Sequence, residues 1–190
     1  EHDRPFFLAC GIYRPHVPWY VPRKYFDMFP LEEVELPTVL EGDLDDLGER
    51  AIDIAYRSGH YHGHVVEADQ WRQAVQGYLA SIAFCDAMVG RLLDALEASR
   101  YADNTIVVLW SDHGWQLGEK QHWRKFALWD NLARTVLMIR VPEAVAGLPG
   151  GSLAGGVCRR VTSLLDVYPT LADLCDLPLD AELDGNSLVP

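Results

Sequence analysis

An α/β layered fold, with a mainly parallel central sheet flanked by helices, is what the order of apolar patterns along this chain predicts. Three observations carry that expectation. Apolar runs of strand length recur at 5–12 (PFFLACGI), 105–110 (TIVVLW) and 136–141 (VLMIRV). The second run is too uniformly apolar for a half-exposed strand and reads as a buried strand of a parallel sheet. Helical periodicity fills residues 67–99 and 163–175, so strands and helices alternate.

The elements follow in order. The first run leaves the sheet through a proline-rich stretch, Pro15 to Pro22, which must be an irregular loop, and His16 sits at that exit. In the long helix Tyr78, Ile82, Cys85, Val89, Leu92 and Leu96 recur at spacings of three and four, the pattern of an amphipathic helix packed on something apolar. A polar turn, Ala102-Asp103-Asn104, precedes the second strand. Asp112-His113-Gly114 then falls at that strand's C-terminal end, where open α/β sheets bind ligands. The strand at 136–141 stops at Pro142, and a glycine-rich loop leads to Arg159-Arg160-Val161-Thr162, read as a third short strand. Residues 163–175 place Leu164, Val167, Leu171 and Leu174 on one helical face, with Pro169 near the helix start. There is no internal repeat.

With 190 residues and a hydrophobic fraction of 49%, the chain is long enough for one domain, 1–190, with a sizeable core. A net charge of -12 disfavours a nucleic-acid partner, which would need a basic face, so an anionic substrate requires a local cationic pocket. Every long apolar run is interrupted by Asp, Glu or Arg before reaching the roughly 20 residues of a membrane-spanning helix. Cys10, Cys85, Cys158 and Cys175 form no C-x-x-C pair, which points to neither a zinc cluster nor a dense disulfide scaffold. The chain opens into its first apolar run with no charged-then-apolar leader and stops after Asp184-Gly185-Asn186; both ends are expected to be cuts in a longer protein.

Asp112 and His113 set a carboxylate beside an imidazole, with Gly114 letting the backbone turn beneath a ligand. Two readings fit: a strand-end metal site, or a helix-capping Asp beside a packed His. The carboxylate suits a hard cation such as calcium, and the imidazole suits zinc or another transition metal. Lys120, His122, Arg124 and Lys125 crowd one segment of an acidic protein, as an anion site would, or as a solvated loop would. His16, in Arg14-Pro15-His16-Val17-Pro18, is restricted by two prolines and suits an anion ligand or general acid. His60, His62 and His64 alternate, so a strand would place all three on one face as a possible metal tract, but Gly59 and Gly63 argue for a loop and a non-catalytic role.

The segment 111–123, SDHGWQLGEKQHW, followed by Arg124 and Lys125, resembles the second metal-binding motif of the sulfatase family, in the alkaline-phosphatase-like superfamily. GIYRPHVPWYVPRKYFDMFP at 11–30 and QGYLASIAFCDAMVGRLLDAL at 76–96 resemble the iduronate-2-sulfatase and choline-sulfatase branch, as does the tail from LLDVYPTLADLCDLP to DGNSL. The resemblance implies an alkaline-phosphatase-like fold, with Asp112 and His113 as calcium ligands and His16 and Lys125 contacting the sulfate group. His113, where many sulfatases have Asn, narrows the branch. The resemblance further implies a sulfated small molecule or glycan as substrate and a periplasmic, secreted or lysosomal enzyme.

The family's C-x-P-S-R-type motif, whose Cys becomes the formylglycine nucleophile, is absent from residues 1–190, as are its paired N-terminal aspartates. This chain alone is therefore expected to be inactive, and its uncovered sheet edges to favour self-association. Two alternatives stand beside a sulfatase: a phosphonate or phosphodiester hydrolase of the same superfamily, and a non-catalytic binding or assembly module.

Overall fold

The computed structural model describes residues 3–56, 60–143, 145, 147–179 and 182–190. In chain order its elements are α1 (Arg23–Phe26), α2 (Glu49–Ala55), α3 (Gly63–Glu67), α4 (Trp71–Glu97), β1 (Val107–Trp110), β2 (Gln116–Leu117), β3 (Trp123–Arg124), α5 (Asp130–Ala133), β4 (Leu137–Arg140) and α6 (Val167–Leu174). Short 3-10 turns lie among them. The chain divides into two units, Glu1–Asp94 with Trp115–Ala127, and Ala95–Gly114 with Leu128–Pro190.

In the first unit, Val34, Val75 and Trp123 form the buried core, joined by Trp19, Phe29 and Leu117. Fully burying side chains of this size contributes about 1.5–3 kcal/mol each. The helix predicted at 67–99 is observed at 71–97, because Asp69 adopts a left-handed conformation (φ 53°) that separates α3 from α4. The first turns of α4 bury Val75, Gly77, Ala80 and Ser81. Gly77 permits close approach, since a Cβ there would lie 3.0 Å from the Trp19 ring. Polar groups tie α4 to the loops around it: Gln76 Nε2 donates to the Phe29 carbonyl at 2.8 Å, Trp71 Nε1 to the Leu117 carbonyl at 2.8 Å, and Arg72 to the Val34 carbonyl. Further along the helix, Ile82 and Leu92 are exposed at 41% and 40%, so the predicted apolar face is only partly covered.

β2 and β3 form an antiparallel hairpin, Gln116 opposite Arg124 and Leu117 opposite Trp123, and Tyr61 bridges to His122 beside it. This hairpin falls in the segment that the sequence presents only as a cation-rich stretch.

In the second unit, β1 pairs with β4 in antiparallel register, Val107 opposite Arg140 and Trp110 opposite Leu137. The α/β mixture of elements stands, but the parallel, buried setting expected for this strand does not. A parallel return needs a long crossover, normally helical; among the described residues the α-helix between the two strands is α5, of four residues. Leu109 and Trp110 are also exposed at 39% and 52%. Residues 5–12 carry no regular secondary structure and enter no ladder among the described residues, and Phe7 and Leu8 lie exposed. The third strand expected at 159–162 is irregular and exposed as well.

The helix predicted at 163–175 is present as a 3-10 turn, Leu164–Asp166, running into α6. Ser163 and Asp166 cap this turn in the manner of a capping box: Ser163 Oγ accepts from the Leu165 N–H at 3.3 Å, and the Asp166 carboxylate accepts from the Ser163 N–H at 2.8 Å. Asp166 also accepts from the Asn186 N–H at 2.8 Å, and Leu188 N–H donates to Thr170 Oγ1 at 2.9 Å, which pins the tail to α6.

Candidate functional site

The four residues singled out in the sequence fall in both units: His16 and Lys125 in the first, Asp112 and His113 in the second. Each pair has its own local construction.

Past the end of β1 the ladder gains one more rung, Ser111 N–H donating to the Val136 carbonyl at 3.2 Å. Asp112 follows with its side chain 72% exposed, and the next element is the strand β2 and not a helix, so the helix-cap reading does not apply. His113 Nδ1 lies 2.7 Å from the Gly114 carbonyl. A carbonyl only accepts, so Nδ1 carries the proton; in the neutral ring the lone pair is then on Nε2. Nε2 is 3.6 Å from Asp112 Oδ2. A nitrogen lone pair and a carboxylate oxygen at that separation fit two ligands of one divalent ion, whose ligand distances are about 2–2.6 Å. The backbone-bonded Nδ1 is the usual way a ligating histidine is oriented. Among the described residues no group of three or more His, Cys, Asp or Glu converges on one point.

Gly114 is required here by close approach. A Cβ at this position would lie 1.8 Å from the Asn131 carbonyl oxygen, and the Gly114 N–H donates to the Leu132 carbonyl at 2.8 Å. α5 therefore packs directly against the backbone that carries the candidate ligands.

His16 is fixed by the same tautomer logic. Its Nδ1 lies 2.8 Å from the Val17 carbonyl and 2.9 Å from Tyr13 Oη, while that hydroxyl donates to the same carbonyl at 2.7 Å. The hydroxyl's one proton being committed, Nδ1 is the donor to both oxygens. The ring sits between Tyr13, with centroids 5.0 Å apart, and the edge of Trp115 at 5.4 Å. Trp115 stacks on Tyr78 and packs on Trp19, whose Nε1 donates to the Pro15 carbonyl at 2.8 Å. Burial, and then the Glu119 carboxylate, push the Tyr78 phenol up, which keeps this aromatic wall uncharged.

Lys125 is half-buried, with its ammonium 5.6 Å from the Phe126 ring centroid, between two residues of positive φ, Arg124 (70°) and Phe126 (75°). The other cations of its segment are deployed differently. Lys120 Nζ pairs with Asp43 Oδ1 at 2.6 Å, His122 is fully buried, and Arg124 is exposed. No single anion pocket is built from all four.

His60 and His62 are buried and His64 is exposed, which places the first two in packing and does not set the triplet on one strand face. His62 Nδ1 accepts from Trp123 Nε1 at 2.7 Å, and His60 Nδ1 lies 3.0 Å from the Trp123 carbonyl. The aromatic wall beside His16 is what sequence reasoning missed. Its only sequence sign is the clustering of Tyr13, Trp19, Tyr78 and Trp115 within the segments that carry the motifs.

The family model described as Sulfatase matches residues 1–177. A protein named sulfatase from Formosa agariphila is 40% identical over 192 residues, covering 100% of this chain and 36% of that protein. Iduronate 2-sulfatase of Mus musculus is 34% identical over 202 residues, covering 92% and 36%. The chain thus spans about a third of the length of the curated relatives it matches. Among solved structures, the phosphonate monoester hydrolase of Agrobacterium radiobacter superposes over 100% of this chain and 38% of its own, with a TM-score of 0.78 and 27% identity. That match gives the chain an alkaline-phosphatase-like fold.

Proposed function

Because the chain belongs to the sulfatase family, we propose that the protein containing it is a sulfuric ester hydrolase acting on a sulfated sugar, with calcium as its metal. Asp112 and His113 are two of the metal's ligands, and His16 and Lys125 bind the sulfate group. The observation that carries this reading is the pair at the end of β1: His113 Nδ1 is committed to the Gly114 carbonyl, and Nε2 stands 3.6 Å from the Asp112 carboxylate. The metal when bound supplies charge stabilisation at the sulfuryl oxygens. The nucleophile would be a formylglycine from a C-x-P-S-R-type motif, which residues 1–190 do not contain.

The chain's own residues do the rest. Cleavage of a sulfate ester builds negative charge on the leaving oxygen and on the sulfuryl oxygens, so a fixed ammonium at Lys125 lowers the barrier if it is aimed there before reaction. His16, held as its Nδ1–H form by Val17 and Tyr13, orients its ring for sulfate and is the candidate proton donor to the leaving alcohol. The apolar faces of Trp115 and Tyr78 exclude water beside that ring.

A phosphonate or phosphodiester hydrolase is the second reading, favoured by the 27% identity and full coverage of the phosphonate monoester hydrolase structure. The test is turnover of sugar sulfate esters against phosphonate and phosphate esters by the full-length protein, with and without a calcium chelator. Preferred, chelator-sensitive sulfate turnover is expected, with His16→Ala losing about 10²-fold or more in kcat/KM. Preferred turnover of phosphonates would overturn the sulfatase reading, and no turnover by the intact protein would leave a binding module.

A further inference from the structure

His122 is 0% exposed, and both of its ring nitrogens face backbone carbonyls. Nδ1 lies 3.1 Å from the carbonyl of Ala55, and Nε2 lies 2.9 Å from the carbonyl of Lys125. Carbonyl oxygens accept and never donate. A neutral imidazole has one N–H, so it satisfies one of these oxygens and turns a lone pair on the other. Only a ring carrying both protons makes both bonds.

Burial disfavours the charge of that form, and the end of α2 favours it. Ala55 is the last residue of α2, where unpaired carbonyls and the negative end of the helix dipole attract a cation. The titratable side chain stacked on the ring is His60, at 5.3 Å with planes 11° apart; its own Nδ1 is engaged with the Trp123 carbonyl at 3.0 Å. The charged residues of α2, Glu49, Arg50 and Asp53, are exposed.

The backbone that His122 holds is strained. Lys120, Gln121, Arg124 and Phe126 all have positive φ, at 55°, 56°, 70° and 75°. Non-glycine residues persist there only when contacts over-determine the conformation. Lys125 sits between the last two, and its carbonyl is the one bonded by His122 Nε2.

We propose that His122 is a positioning residue: an imidazole with both nitrogens protonated that clamps the C-terminal carbonyl of α2 to the carbonyl of Lys125, and so fixes where the Lys125 ammonium stands. This rests on the reading of Lys125 as a sulfate ligand and names the device that orients it. The two hydrogen bonds offset the strain of the flanking residues, and the clamp joins the segment to a helix far from it in sequence.

The test uses the full-length protein with inorganic sulfate as a competitive probe. His122→Asn is expected to weaken sulfate inhibition about tenfold, since small displacements of a positioned group cost that much or more. In a Lys125→Ala background the same change is expected to add nothing. Equal losses in both backgrounds would show a general structural effect and overturn the proposal, as would unchanged inhibition by sulfate. The imidazole 15N resonances of His122 in selectively labelled wild-type protein provide a readout that needs neither a variant nor activity. Two protonated-type nitrogens are expected, and one lone-pair nitrogen overturns the clamp. Should Lys125→Ala bind sulfate as well as the wild type, the sulfate-ligand reading of Lys125 fails and the positioning claim with it; the nitrogen signals still decide the two-proton geometry.

Discussion

Replacing Gly114 by alanine adds one methyl group at the point where the candidate metal ligands meet α5. The new Cβ would lie 1.8 Å from the Asn131 carbonyl oxygen, 2.9 Å from its carbon and 3.1 Å from Leu132 Cα. Ordinary carbon–oxygen contacts begin near 3.3 Å, so one backbone segment must retreat by roughly 1.5 Å. The obstruction is main chain and has no rotamer by which to yield, which puts the cost at or above the upper end of the ~1–3 kcal/mol typical of overpacking. The Gly114 N–H bond to the Leu132 carbonyl is stretched by the same movement, for about another 1 kcal/mol. A total of about 4 kcal/mol lowers the melting temperature of the full-length protein by on the order of 10 °C. Because His113 donates to the Gly114 carbonyl, the shift also turns the imidazole, so occupancy of the proposed calcium site, measured by atomic spectroscopy, should fall together with stability. Gly90 is the control: it lies inside α4, a Cβ there meets nothing within 4 Å, and alanine should raise stability by about 0.5–1 kcal/mol. A Gly114→Ala protein that melts within about 1 °C of wild type and keeps its calcium would refute the close-packing argument.

Two pH effects follow from buried groups. Burial, outweighing the Glu119 carboxylate, holds the His62 imidazole below its ordinary range, and its Nδ1 accepts from Trp123 Nε1. The folded protein therefore binds fewer protons at His62 than the unfolded chain. Its contribution is complete above the ordinary imidazole value and is lost as the pH falls through the depressed one. Thermal melts should show a smaller drop from pH 7 to pH 5 in His62→Gln than in the wild type; equal drops would contradict the assignment. Asp166 is held below the usual carboxylate range by the N–H groups of Ser163 first and Asn186 second. Its contribution is present above the ordinary carboxylate value and disappears as the pH falls through the lowered one. Asp166→Asn should melt lower than the wild type at pH 7, with the gap closing as the pH falls through the lowered carboxylate value, and a gap that persists in stronger acid would point to another cause.

The legible parts of this chain were those fixed by local pattern. The apolar runs at 107–110 and 137–140 and the three-and-four spacing of α4 were visible because periodicity is a property of the segment itself. Strand direction was not, since it depends on what lies beyond the strand's ends: β1 and β4 are antiparallel although each run alone suits a parallel sheet. Burial was misjudged for the same reason at Leu109 and Trp110, whose apolar character says that they can be covered but not by which residues. At the site, Asp112-His113-Gly114 was readable as a motif, but the need for glycine came from Asn131 and not from the turn. His122 looked like one more cation in a polar segment. Its burial arises from Tyr61, Ala55 and His60, residues whose proximity no local pattern encodes.

The pairing of β1 with β4 has a mechanical meaning for the proposed metal ligands. The last rung of the ladder is the bond from Ser111 N–H to the Val136 carbonyl, and two residues past Asp112 the Gly114 N–H is bonded to the Leu132 carbonyl of α5. Asp112 and His113 are thus a short span held at both ends, as steady as its two supports. One support is a ribbon of two strands, four residues each, which twists and bends far more readily than a wider sheet. The stiffness with which a cation would be gripped on this span is therefore set by β4 and α5, neither of which supplies a candidate ligand.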